Sequence, residues 1–321
     1  MSSAKRVVSV SLGSSRRDHR AELELAGERF VLERIGTDGS MDRAVQLIRE
    51  LDGQVAAIGL GGIDLYLVAG GRRYLIRDAA KLAKAAQVTP VVDGSGLKNT
   101  LERQVVQELA GTLDLAHRRV LLVSAVDRFG MAEGLVEAGA RVLFGDLIFS
   151  LGLPVPIYRL STIRLLAALL LPVLTQLPFQ WLYPTGSQQE SSKADWRSRY
   201  YQWAEVIAGD FHFIRRHLPQ DLGSKVMITN TVTSEDVELL RGRGLATLVT
   251  TTPELDGRSF GTNVIEALLV AKEGAPGPLK PERYQALIRE LGLEGRVTNL
   301  AQEAAALPQA QPVKRGARGD L

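Results

Sequence analysis

No cysteine occurs among the 321 residues. Disulfides, thiolate metal sites and cysteine nucleophiles are therefore excluded together. The sequence also lacks zinc-ligand spacing, a P-loop, a kinase signature and a Gly-x-Ser-x-Gly elbow, and no metal site is expected. Neither sign of charge dominates: 39 Lys and Arg face 36 Asp and Glu, a net charge of +3. Part of that excess sits in the tail, at Lys314, Arg315 and Arg318, so the composition carries no nucleic-acid-binding stripe. The opening Met1-Ser2-Ser3-Ala4-Lys5-Arg6 runs straight into a strand without an apolar leader. With the missing cysteine, this fits a cytoplasmic protein.

A long unbroken apolar run is missing as well. Leu165 to Tyr183 comes nearest, but Pro172, Gln176, Pro178 and Gln180 interrupt it. A bilayer-spanning helix needs about 20 mainly apolar residues, so no membrane span is expected. The segment reads as a buried helix that covers a cleft or a homodimer interface, with a membrane-surface element as the alternative.

What is present is 45% hydrophobic and 23% charged residues, the balance of a globular protein with a sizeable core. The length suits two domains. β-Branched runs at Arg6–Leu12, Arg29–Arg34, Val55–Gly59 and Val88–Val92 read as strands, with helices starting at Ser40, Asp78 and Leu97. A second series of strands begins at Val120 and Arg141 and continues at Val206–Ile214, Lys225–Asn230 and Leu245–Thr252. Buried strands alternating with helices predict an α/β fold with parallel sheets covered on both faces. The expected organisation is a small N-terminal substrate-type α/β domain over residues 1–112 and a Rossmann-like parallel-sheet domain over 113–306. The second domain carries an apolar insertion over 148–195, and a disordered tail rich in Pro, Gln, Gly and Arg follows over 307–321.

The stretch Val91-Val92-Asp93-Gly94-Ser95-Gly96-Leu97 places an aspartate and two small glycines between a short strand and an amphipathic helix. With a βαβ unit after it, from Val120 to Asp146, this order of parts resembles the quinate/shikimate dehydrogenase family, whose turn reads Asn-Thr-Asp-Gly-x-Gly. The resemblance covers roughly residues 5–270 in layout. It implies a two-domain NAD(P)-linked oxidoreductase acting on a small hydroxylated carboxylic acid. In that family a lysine at the end of a first-domain strand partners the aspartate of the turn. Here the matching strand ends in Leu60-Gly61-Gly62-Ile63-Asp64, without lysine. Asp93 is the matched aspartate, and Lys98, Lys81 or Lys84 would bring the ammonium from another direction. Asp64 could instead pair with Asp93, giving two carboxylates with split pKa values suited to acid–base work. The competing reading of Asp93 is a turn aspartate that caps the next helix. The resemblance also sets Gly13-Ser14-Ser15-Arg16-Arg17 where the family holds the substrate carboxylate, with Ser14, Ser15 and Arg16 as its binders.

For a dinucleotide, the turn Ser124-Ala125-Val126-Asp127-Arg128 lacks the glycine fingerprint, though Ser124 is small and Arg128 offers a cation for phosphate. Asp146 lies 20 residues after Val126, where an acid accepts from a ribose, and it favours NAD over NADP. Thr229-Asn230-Thr231 resembles the family's Asn-Ala-Thr segment beside the nicotinamide. Asp210 and His212 fall on one predicted strand and so share a face. The alternative to a dehydrogenase is a diverged ligand-binding or regulatory protein that keeps the two-domain cleft without hydride transfer.

Overall fold

The computed structural model describes residues 4–178, 195–230, 232–252, 254–255, 258–293 and 295–301. Strand β1 (Lys5–Ser11) is buried from Val7 onward, as a central parallel strand covered on both faces should be. The alternation His19-Arg-Ala-Glu-Leu-Glu-Leu25 makes β2 (His19–Leu25), an exposed edge strand that pairs antiparallel with β3 (Glu28–Gly36). Ala26 and Gly27 connect them with φ of 50° and 76°, the two positive values that a type I′ hairpin turn requires. Helix α1 (Met41–Leu51) starts under Ser40, whose side chain accepts from Arg43 N–H. Strand β4 (Ala57–Gly61), the hairpin β5 (Tyr66–Ala69) and β6 (Arg72–Leu75), helix α2 (Arg77–Ala83) and β7 (Val91–Val92) complete the first series. The first sheet runs β2-β3-β1-β4-β7, with β2 its antiparallel member.

Helix α3 (Ser95–Leu109) carries the chain into the second lobe. There β8 (Arg119–Leu122), α4 (Phe129–Glu137), β9 (Arg141–Phe144), α5 (Leu160–Leu174), α6 (Ser198–Trp203), β10 (Val206–Gly209), α7 (Phe211–Arg216), β11 (Val226–Thr229), α8 (Ser234–Gly242) and β12 (Thr247–Thr250) follow in order. A short hairpin, β13 (Glu254–Leu255) and β14 (Arg258–Ser259), precedes α9 (Thr262–Glu273), α10 (Pro281–Glu290) and β15 (Arg296–Asn299). The second sheet reads β15-β12-β11-β10-β8-β9, parallel except for the edge strand β15. Its chain starts at β8, steps outward to β9, then resumes on the other side at β10. That reversal is the topological switch point at which open α/β sheets form a crevice beyond their carboxyl ends. The α/β architecture with two parallel-sheet lobes is therefore as expected.

The domain limits differ from a simple cut at residue 112. Helix α9 returns to the first lobe and buries Val264 to Ala271. A Cβ on Gly59 would lie 2.7 Å from the Asn263 carbonyl oxygen, and one on Gly94 would lie 2.7 Å from its amide nitrogen. These glycines allow the backbone of α9 to seat directly on the first sheet. The Tyr284 hydroxyl of α10 donates to Glu266 of α9 at 2.6 Å, so residues 262–290 belong with the first lobe and β15 returns to the second. One hydrophobic cluster runs through both lobes along α3, from Val7 and Phe30 through Leu97 and Leu101 to Val120 and Phe144.

The apolar insertion is only half buried. In α5, Ile163, Ala167 and Leu171 face the core, while Leu165, Leu169 and Val173 are exposed. A helix packed on one side keeps a single stripe inside, and α5 has apolar residues on both sides. Residues 179–183 of that run and the tail over 307–321 lie outside the described residues. Among the described residues, no helix is long and apolar enough to cross a membrane.

Candidate functional site

The carboxyl ends of both sheets face one cleft of about 950 Å³. The first lobe contributes Ser11 at the end of β1, Gly61 to Asp64 at and beyond the end of β4, and Asp93 after β7. The second contributes Asp127 and Arg128 after β8, Asp210 after β10 and Asn230 after β11. Helix α3 sends Lys98 between them.

Lys98 is the centre of this arrangement. Its ammonium donates to Asp64 Oδ1 at 2.7 Å and to Asp127 Oδ1 at 3.1 Å. One carboxylate comes from each lobe. Asp64, Lys98 and Asp127 have side chains only 11–13% exposed, in a setting where isolated charges are costly. Burial pushes the Asp64 carboxyl up; Lys98 pulls it down, but Asp127 and Asp93 push it further up. Burial also pushes Asp127 up, yet Lys98 and Arg128 outweigh it and hold that carboxyl low. Burial acts against the Lys98 ammonium, and Asp127 and Asp64 overcome it, so its pKa rises. The neighbours thus push two similar carboxyl groups in opposite directions, Asp64 up and Asp127 down.

Arg128 builds the second part. It is 1% exposed and donates to Glu102 through Nη1 and to Asp210 Oδ2 at 2.7 Å through Nη2. Burial opposes the guanidinium, but Glu102, Asp127 and Asp210 outweigh it and raise its pKa. Burial pushes Glu102 up to about 7 against the pull of Arg128. Lys98 and Glu102 lie four residues apart on α3, and because i and i+4 share a helix face, both turn toward the Asp127–Arg128 turn.

The other expected residues take varied places. Asp93 lines the cleft, but both its oxygens hold backbone: Oδ2 accepts from Leu65 N–H at 2.5 Å and Tyr66 N–H at 3.1 Å, and Oδ1 from Ser95 N–H at 3.0 Å. Its carboxylate therefore clamps the loop after Asp64 onto the start of α3. The structure pairs Lys98 with Asp64, not with Asp93. Ser14 spends its hydroxyl on Arg16 N–H at 3.2 Å, and Ser15 N–H donates to Asp38. Arg16 and Arg17 line the cleft together with a half-buried Arg34, which Asp18 and Ser11 hold. Arg17 Nη1 meets His212 Nε2 at 3.2 Å, a contact between the lobes.

In the second lobe, Asp146 turns inward. Its carboxylate accepts from Ala125 N–H at 3.1 Å and Val126 N–H at 2.9 Å. Burial raises it to about 6, against the pull of those two donors. The backbone groups that would cradle a pyrophosphate are thereby satisfied from within, and the acid expected on a ribose is the group that satisfies them. Arg128, expected on phosphate, is likewise committed to Glu102 and Asp210. Ser124 is buried at the end of β8. Thr229 is fully buried and donates to Gly209 O at 2.8 Å, so it serves the sheet. Asn230 lines the cleft and donates to Asp210 Oδ2 at 2.9 Å. Thr231 lies outside the described residues.

The expected strand over Val206–Ile214 stops at Gly209. Asp210 caps helix α7 by accepting from His212 N–H at 2.9 Å. Asp210 and His212 thus flank a helix start and do not alternate along a strand. Burial lowers the His212 pKa, and Arg17 adds to this while Asp210 opposes it. Among the described residues, no group of three or more His, Cys, Asp or Glu side chains is placed to hold a metal ion.

Solved structures align with this chain at low similarity. AraP, an arabinose binding protein from Geobacillus stearothermophilus, aligns at 10% identity over 77% of this chain and 82% of its own, with a TM-score of 0.39. An ABC transporter periplasmic solute binding protein from Actinobacillus succinogenes with bound D-allose aligns at 10% identity over 94% and 99%, also at 0.39. An NAD-dependent malic enzyme from Thermotoga maritima aligns at 13% identity over 88% and 75%, at 0.37. No curated protein matches the sequence. Residues 6–93 match a family model described as "Domain of unknown function (DUF8753)". Residues 96–300, more than half of the chain, match a second, and the chain thus belongs to the family described as "Domain of unknown function (DUF8754)".

Proposed function

We propose that this chain binds a small, hydroxyl-rich molecule bearing an acid group in the cleft between its lobes, as a ligand-binding or regulatory protein. The observation that carries this reading is the Lys98 ammonium held between Asp64 of one lobe and Asp127 of the other. Paired charged and amide groups of this kind offer both donors and acceptors to ligand hydroxyls. Arg16 and Arg17 bring guanidinium groups to the same cleft, suited to bidentate contact with a carboxylate. The internal use of Asp146 and Arg128 favours this reading over one that needs a dinucleotide.

One observation favours a second reading. Lys98 and Asp64 at 2.7 Å make a lysine–aspartate pair facing a cleft. Quinate/shikimate dehydrogenases use such a pair, with the origins of the two residues exchanged relative to this chain. On that reading Lys98 and Asp64 would hold and move the hydroxyl proton, and a bound NAD would supply the hydride chemistry.

Calorimetry separates the two. The panel is quinate, shikimate, a pentose and a hexose, each with and without NAD. Binding of a hydroxylated compound with no heat from NAD supports the binding protein. A ligand at roughly a hundred times its Kd also stabilises by about 2.7 kcal/mol, visible as a rise in Tm. NAD binding with turnover of a hydroxy acid establishes the dehydrogenase, and the absence of any binding to the panel overturns both.

A further inference from the structure

The exposed side of α5 is apolar from Leu165 to Val173. Leu165, Leu169 and Val173 are 60%, 64% and 65% exposed. Their spacing of four residues sets them in one line on the helix. No charged residue occurs between Arg164 and Val173. A water-facing helix surface is ordinarily polar, and a contiguous apolar stripe marks an interaction site.

Cations flank this stripe at both ends. Near its start, Arg164 lies against Gly70 of the β5–β6 hairpin, whose exposed strand carries Arg72 and Arg73. Near its end, Arg77 N–H donates to Thr175 O at 3.0 Å and so fixes the start of α2 beside α5. Arg77, Lys81 and Lys84 line a shallow hollow there with Leu75 and Gln176. Asp78 is shared by Lys81 at 2.9 Å and Arg77 at 4.0 Å, and Glu133 neutralises Arg164 at 2.6 Å; two carboxylates against Arg72, Arg73, Arg77, Lys81, Lys84 and Arg164 leave the surface positive.

We propose that this face docks on an anionic lipid bilayer, with the α5 stripe in the headgroup–acyl boundary and the flanking cations on headgroup phosphates. Charge selects this occupant. A second copy packed along α5 in either direction would set a basic end against a basic end, whereas a layer of anionic headgroups complements both ends. Three aliphatic side chains make a weak anchor, so the attachment is reversible and sensitive to salt.

The test is co-sedimentation of the full chain with vesicles of phosphatidylcholine alone or mixed in equal parts with phosphatidylglycerol. The chain should pellet with the mixed vesicles at low salt, remain in solution with phosphatidylcholine, and be released by salt. Leu165→Gln with Leu169→Gln should abolish pelleting; both positions face outward, so folding is preserved and circular dichroism checks it. Arg72→Gln and Lys84→Gln should weaken binding about fivefold each. Failure to pellet with the mixed vesicles overturns the proposal. So does a dimer by light scattering that the Leu165/Leu169 double variant converts to monomer, which would give the face to a second copy.

Discussion

The Lys98 ammonium donates to Asp64 Oδ1 at 2.7 Å across 34 positions of sequence, and the same nitrogen reaches Asp127 in the other lobe. Removing the cation strands two carboxyl groups in a poorly hydrated place. Lys98→Met should cost about 3–5 kcal/mol, the usual loss when one partner of a buried ion pair is deleted. Asp64→Asn should cost much less, because burial already favours the neutral form of that carboxyl. Urea unfolding of both variants decides the matter. Equal losses would mean that Asp64 is ionised and that the two carboxyl groups are not pushed apart.

Asp146 gives a test of the nucleotide question. It accepts from Ala125 and Val126 N–H, so Asp146→Ala leaves two donors without their partner. A cost of about 1–3 kcal/mol is expected, with no effect on heats measured with NAD. A stable Asp146→Ala variant with weakened NAD binding would restore that side chain to a cofactor site.

The contrast between these residues shows what the sequence reveals and what it hides. The two-lobe α/β architecture was legible because buried strands and amphipathic helices alternate with different periods. Lys98 and Asp64 were legible as candidates, since each follows or enters an element at a strand end. Their pairing was not, because Asp93 sits nearer in sequence and its backbone partners at Leu65, Tyr66 and Ser95 depend on how the loops meet. The same holds for Asp146: position in the βαβ unit put it at the crevice, and only the fold shows that its carboxylate turns toward Ala125. Strand β2 escaped notice because its alternation His-Arg-Ala-Glu-Leu-Glu-Leu is that of a solvated edge, with one buried residue. Helix α9 reads as part of the second lobe until Gly59 and Gly94 are seen to admit its backbone.

Gly94 tests that last contact. Its φ is +91°, and a Cβ there would meet Asn263 N and Thr262 Oγ1 at 2.7 Å each. Gly94→Ala should therefore cost more than the about 1–3 kcal/mol of backbone strain alone, since α9 must also move from β7. Gly111→Ala, with open space around it, should change stability by no more than about 0.5 kcal/mol. Thermal unfolding of the pair checks this, and similar Tm values would show that α9 is not seated as described.

Glu266 should make stability depend on pH. It is 1% exposed and accepts from Gly94 N–H at 2.6 Å and from the Tyr284 hydroxyl at 2.6 Å. Burial first, and then repulsion from Asp93, raise its pKa from 4.5 to about 7. A carboxyl raised on folding stabilises fully below its unfolded pKa, and that contribution is lost as pH rises through the folded value. Between 4.5 and about 7 the parent should therefore lose stability relative to Glu266→Gln, which resembles the protonated acid throughout. The divergence should be on the order of 1–3 kcal/mol. Comparing the two proteins cancels the contributions of the other titratable groups, which are present in both. Urea unfolding across that window gives the two curves. If they run parallel, Glu266 is ionised in the folded protein throughout, and the two donors at Gly94 and Tyr284 outweigh its burial.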